Sequence, residues 1–197
     1  MTASPTLRRH AANGVLLTAI LALAALVLHT TPSREAQQAS IVVPGVIGEP
    51  ASGRNIRATV YSAAVAEEVT TGNGWAGATP GLWVVVELTV EAVVDDKAAS
   101  LGTAVLRVGD VSFSASSRPQ DSTVADMRLA TGIPVSGPLL FEVPATVVHS
   151  TAASTATLEL AIDSDPRVDS LLVVPVDLTD LVVQHELELS FPEWGSQ

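Results

Sequence analysis

Residues 79–92 read TPGLWVVVELTVEA. In an extended chain Val84, Val86, Leu88, Val90 and Ala92 share one face, and Trp83, Val85, Glu87, Thr89 and Glu91 share the other. A 3.6-residue period would scatter the two carboxylates differently, and β-branched residues favour strands. This stretch therefore predicts a long, half-buried strand.

The same rhythm recurs outward from it. In RNIRATVYSA, Ile56, Ala58 and Val60 oppose Arg57, Thr59 and Tyr61. AVLRVGDVSFSAS carries Gly109-Asp110 between two apolar runs, which predicts a hairpin. PLLFEVPATVV aligns Leu139, Phe141 and Val143, and TLELAID sets Leu158, Leu160 and Ile162 against Glu159 and Ala161. In SLLVVPVDL, Pro175 predicts a sheet edge or a bulge, because proline lacks the N–H a ladder needs. VVQHELELSF places Val183, His185, Leu187 and Leu189 opposite Gln184, Glu186 and Glu188, with His185 on the core-facing side. DSTVADMRLA has room for one short helical turn. Strand runs at this spacing, with no βαβ alternation, predict an all-β fold: an antiparallel β-sandwich, immunoglobulin-like in shape.

Composition narrows the classes. Apolar residues make up 47% of the 197 and charged residues 16%, which excludes a disordered acidic tail. Arg8, Arg9 and Arg34 against Glu35 give the first 40 residues a charge of +2, so the remainder carries −13 of the total −11. A domain this acidic repels nucleic acid, whose phosphates need Lys or Arg. With no cysteine, disulfides, thiolate nucleophiles and a lipobox anchor are all excluded. Apolar burial must hold the fold together.

The amino terminus is a separate matter. Residues 15–28, VLLTAILALAALVL, carry no charge. Their Leu, Ile and Val residues together favour membrane insertion by about 4 kcal/mol. A helix from Ala11 to Thr31 reaches about 31 Å, enough for the ~30 Å hydrocarbon layer. Arg8 and Arg9 hold the leading end in the cytoplasm and place the bulk of the chain outside. A cleaved secretory signal begins the same way, but HTTPSREAQQAS offers no A-x-A-like site. The predicted organisation is a cytoplasmic terminus over 1–10, a single-pass transmembrane helix or signal-anchor over 11–31, a spacer over 32–53 and an extracytoplasmic sandwich over 54–197. IVVPGVI within the spacer is expected along a sheet edge, since Pro44 and Pro50 exclude a central strand.

GLWVVVELTVEA and ATGIPVSGPLLFEVPA, residues 130–145, together resemble the signature of the DUF4352 group of bacterial extracytoplasmic domains. Gly81, Gly132, Gly137, Phe141, Val143 and Pro144 stand where that pattern wants them, and the resemblance covers residues 54–162. The usual polar turn after the first signature strand is here Glu91-Ala92-Val93-Val94, and residues beyond 163 are extra. The resemblance implies an immunoglobulin-like sandwich displayed outside the membrane, with no catalytic residues to carry over.

Chemistry is sparse. No G-x-S-x-G or S-x-x-K occurs. His149 reads as a loop residue and His185 as a core or edge residue. The best metal candidate is the DSDPRVD loop, where Asp163, Asp165 and Asp169 offer carboxylates for Ca²⁺. The loop lacks the glycine and bidentate glutamate of an EF-hand, and the plain reading is a solvated Asp-Pro turn. Asp95-Asp96-Lys97 reads as a turn. GNGWAGATPG, residues 72–81, has no basic residue to make a phosphate loop. Trp75 there is either a partner anchor or a lid over one end of the core. The expected role is a membrane-anchored binding or structural module without cofactor, whose partner is another envelope or membrane protein. The alternatives are an exported hydrolase using carboxylates or a metal, and a calcium-dependent adhesion module.

Overall fold

A computed structural model describes residues 5–31, 38–94 and 99–195; the Asp95-Asp96-Lys97 turn and residues 32–37 of the spacer lie outside them. The chain divides into two units, Met1–Ala39 and Ser40–Gln197. In the first, helix α1 runs Pro5–Thr30. Its segment Ala12–Thr30 has a mean hydropathy of 2.0 and is long and apolar enough to cross a membrane. Val15, Leu16, Leu17, Ile20 and Leu21 are all exposed.

The second unit is a sandwich of two sheets. The smaller has the order β1-β9-β8-β5-β6, from Ile41–Pro44 (β1), Thr103–Val108 (β5), Val111–Ser114 (β6), Thr157–Ala161 (β8) and Ser170–Pro175 (β9). The larger has the order β10-β3-β4-β7-β11, from Ile56–Thr71 (β3), Ala76–Ala92 (β4), Val135–Val143 (β7), Val183–Leu189 (β10) and Glu193–Trp194 (β11). A two-residue β2, Ala51–Ser52, pairs with the start of β3. The predicted all-β sandwich is present, with two pairings that are parallel rather than antiparallel: β1 with β9 and β10 with β3.

Two parts of the expected spacer are built into the sheets, Ile41–Pro44 into the smaller and Ala51–Ser52 into the larger. β1 is the edge strand that IVVPGVI suggested, and it ends at Pro44. Pro175 is not at an edge, because β9 lies between β1 and β8. It is tolerated because β1 pairs only as far as Val173, so the missing N–H faces no partner. Gly109-Asp110 forms the predicted hairpin, with Val108 opposite Val111 and Gly109 at φ +58, where a Cβ would be strained. DSTVADMRLA holds two short 3₁₀ turns, Gln120–Ser122 and Val124–Asp126. One helical turn, α2 (Ala145–Val148), follows β7.

The main core fills the space between the sheets. Val84, Val86, Leu88 and Val90 of β4 meet Leu139 and Phe141 of β7 and Leu106, Leu158, Leu160 and Leu172 of the facing sheet, all buried. The alternation read in residues 79–92 thus has its apolar face where period two puts it. β3 and β4 are unusually long, at 16 and 17 residues, and pair along almost their whole length. The register shift at Val60/Ser62 marks a bulge in β3, and that at Ala66/Glu68 sets one residue of β3 against four of β4, residues 79–82; both bend the hairpin and re-aim its outward side chains.

Candidate functional site

The outward face of the larger sheet is divided. Toward the β3–β4 turn it is closed by a second, smaller core. Trp83 and Val85 of β4, Leu140 of β7, Ala66 and Val69 of β3 and Leu189 of β10 are buried there, with Trp75 and Leu187 packed against them. Trp83 is fully buried and its indole N–H donates to the Gly77 carbonyl at 2.8 Å, so no polar atom is orphaned. Trp75 stands edge-on to Trp83 with ring centroids 6.4 Å apart. Gly77 makes room for it, since a Cβ there would lie 2.3 Å from the Trp75 ring. Arg118 lays its guanidinium 5.2 Å from the centroid of the Trp83 ring and bonds both Glu142 and the Ala78 carbonyl. Of the two readings for Trp75, the lid is the one seen, over this outer core.

Beyond Glu87 the same face is open. The register sets Arg57 opposite Glu91 and Thr59 opposite Thr89. Arg57 forms an ion pair with Glu91 and also donates to Ser52 at 3.0 Å. Tyr61, the extra residue of the β3 bulge, accepts a hydrogen bond from Thr89 Oγ1 at 3.2 Å, and Thr89 Oγ1 lies 2.6 Å from Ser136 Oγ. That bond draws the phenol along the sheet, yet Tyr61 stays 49% exposed. Pro50 and Pro134 rim the hollow, whose volume is about 340 Å³. Glu87 sits between the two halves, opposite Ser62 and Pro138. It is half-buried, and that burial raises its carboxyl pKa above the ordinary 4.5.

A second cleft, about 420 Å³, lies where the start of β4 meets α2, between Thr79-Pro80-Gly81 and Glu142–Thr146. Its lining comes from β4, the end of β7 and the start of α2. Its one carboxylate, Glu142, is held by Arg118 at 3.0 Å and by Ser116 at 3.2 Å. The hollow around Tyr61 offers more varied chemistry: an aromatic ring, a cation, an anion and hydroxyls together.

The residues singled out from sequence lie elsewhere. Asp163, Asp165 and Asp169 do not converge. Asp165 is bound by the Arg167 guanidinium, which holds its carboxyl below the usual range. Asp163 contributes a backbone carbonyl to Thr103 at 2.7 Å. Asp169 is buried and takes hydrogen bonds from Asn55 (2.8 Å) and the Ser170 N–H (2.7 Å), with Arg54 at 3.2 Å. It clamps the start of β9 to the turn before β3. Among the described residues no three His, Asp or Glu side chains are arranged to hold a metal ion. His185 is 87% exposed rather than core-facing. β10 twists as it leaves the main core, so Val183 packs there and Leu187 against the outer core, while His185 between them points outward to Glu67 at 2.8 Å. His149 is exposed at the end of α2, as a loop residue.

Of the residues in the DUF4352-like pattern, Phe141 and Val143 are core, and Gly81 lies where a Cβ would sit 2.3 Å from the Val143 carbonyl oxygen. Pro144 starts α2. No family model matches the chain, and no curated protein does. Among solved structures the chain is similar to the yjhA protein from Bacillus subtilis, with 18% identity and a TM-score of 0.45, covering 65% of this chain and 97% of that one. It is also similar to a candidate lipoprotein from Staphylococcus aureus, with 9% identity and a TM-score of 0.45, covering 74% of this chain and 97% of that one.

Proposed function

We propose that this chain is a membrane-tethered, extracytoplasmic binding module of DUF4352-like type, which works without catalysis by presenting the open half of its larger sheet to a component of the cell envelope. The carrying observation is the division of that face. One half is roofed by Trp75, Trp83 and Arg118; the other leaves Tyr61, Arg57 and Glu91 in a hollow. A half-open face that sets an aromatic ring among paired charges and hydroxyls has the mixed groups a recognition surface uses.

Location rests on α1. Its apolar segment suits a single-pass anchor, and Arg8 and Arg9 before it favour an inside amino terminus. Intact mass of the protein recovered from cells tests this: the full-length mass is expected, and loss of the segment before Ser40 would make the module a secreted one. A non-catalytic role is supported by the residues of the hollow. Its one carboxylate, Glu91, is neutralised by Arg57, and neither His149 nor His185 lines it. A hydrolase would need an acid and a base poised at one reacting bond.

The direct test is a photo-crosslinking amino acid placed at Tyr61 in the full chain, in intact cells, with Val111 on the smaller sheet as control. Adducts are expected from position 61 and not from 111. Equal yields from both positions, or adducts from 111 alone, would remove the recognition surface from this face.

A further inference from the structure

We propose that the hollow around Tyr61 binds a neutral polysaccharide, with one sugar ring laid against the Tyr61 ring. This rests on the binding-module reading above and names its ligand class. The floor of the hollow is the interior of a sheet. Arg57 and Ala58 are paired with β2 on one side and β4 on the other, and Thr89 with β3 and β7, so a ligand seated over them meets side chains and no free strand edge. A helical ligand would want an apolar groove, and the hollow's apolar surface is the Tyr61 ring between two rim prolines. The hollow therefore offers side-chain chemistry of mixed polarity.

That chemistry suits hydroxyl groups. A sugar hydroxyl both donates and accepts, so neighbouring hydroxyls are matched by a donor and an acceptor side by side. The Arg57–Glu91 pair is such a couple, and it stands next to the Thr59 and Thr89 hydroxyls. The C–H face of a pyranose needs a flat apolar plate. Tyr61 provides one, held along the sheet by Thr89 and half open to solvent. Charge selects further: the pair is internally balanced, while the chain beyond residue 40 carries −13. An acidic polymer is repelled by the surroundings. A volume of about 340 Å³ is at the small end of ligand sites and fits one or two sugar units of a longer chain.

The experiment is isothermal titration of the full chain in nanodiscs with cellohexaose, chitohexaose, maltohexaose and xylohexaose, and with hexagalacturonate as the acidic probe. At least one neutral hexasaccharide is expected to bind and hexagalacturonate is not. Tyr61→Ala should weaken that binding about tenfold or more, whereas Tyr61→Phe, which keeps the plate, should retain it. Melting temperatures of both variants should match the parent, since Tyr61 is outside both cores. The proposal is overturned if no neutral hexasaccharide binds, if Tyr61→Ala binds as well as the parent, or if hexagalacturonate binds as tightly as the neutral sugars. Failure here with protein adducts still forming at position 61 would refute the sugar and leave the binding module standing. Failure of both would refute the module.

Discussion

β3, β4 and β7 carry their outward side chains through two surroundings. Near the β3–β4 turn, Trp83, Val85 and Leu140 are buried; a few residues along the same strands, Tyr61, Thr89 and Glu91 face solvent or line a hollow. Backbone pairing is the same in both places. The difference is cover. Trp75 folds back from the turn, Arg118 arrives from the segment before β7, and Leu187 and Leu189 come from β10. Nothing from the described residues roofs Tyr61 in the same way. A strand's alternation says which residues point outward, and the rest of the chain decides whether outward means buried.

The sharpest way to break this contrast is to truncate one aromatic from each half. Trp83→Ala should cost about 3–5 kcal/mol, because it empties a fully buried site and leaves the Gly77 carbonyl without its donor. Tyr61→Ala should change stability by no more than about 0.5 kcal/mol. Urea denaturation of the two variants measures both. Equal costs would mean that the two halves are energetically alike and that the open half is part of the core. Next in size is Gly81→Val, where β4 enters the closed half. A Cβ there would press on the Val143 carbonyl oxygen at 2.3 Å, and neither backbone can yield without losing register, so about 1–3 kcal/mol should be lost.

The contrast also marks what the sequence made legible. Period two alone put Val84, Val86, Leu88 and Val90 inside, and it put Arg57, Thr59 and Tyr61 on one outward face and Glu87, Thr89 and Glu91 on another. It could not show Arg57 opposite Glu91, because that pairing depends on the register of a hairpin whose strands exceed 15 residues and shift register twice. The signal was present in two stretches separately; only their alignment makes a site. Trp83 and Val85 shared the polar face by alternation, and their burial comes from Trp75, Arg118 and Leu189, spread across more than 100 positions. His185 went wrong for a related reason: its strand leaves one core for another, so a single face meets two environments and solvent between them. Asp163, Asp165 and Asp169 looked like a ligand set because spacing ignores basic neighbours, and Arg54 and Arg167 had already claimed two of the three.

Arg118 tests whether the roof is held by charge as well as by packing. Its guanidinium is 46% exposed, so screening limits what the Glu142 pair contributes, and contact with the indole face adds a comparable amount. Arg118→Ala should therefore cost about 1 kcal/mol. Arg118→Lys should recover little of it, since a single ammonium cannot lie flat on the ring while bonding Glu142 and the Ala78 carbonyl. Full recovery with lysine would reduce the roof to a simple ion pair. Fluorescence of Trp83 in the two variants reports whether the ring has become wet.

Glu87 stands on the boundary, so it feels both halves. Its carboxyl is desolvated by burial, which raises its pKa above 4.5. The sign follows from proton counting: just above pH 4.5 the unfolded chain has released this proton while the folded chain still holds it. The neutral acid's contribution to stability is thus complete below 4.5 and is lost as pH rises through the folded value. Glu87→Gln removes the titration. It should leave stability unchanged in acid and raise it near neutrality by an amount that solvent screening keeps below about 0.5 kcal/mol, with the gap opening as pH climbs away from 4.5. Denaturant midpoints across that range decide the matter. A glutamine variant that is less stable than the parent near neutrality would mean that the ionised carboxylate is held favourably, and that the boundary belongs to the open, solvated half rather than to the roofed one.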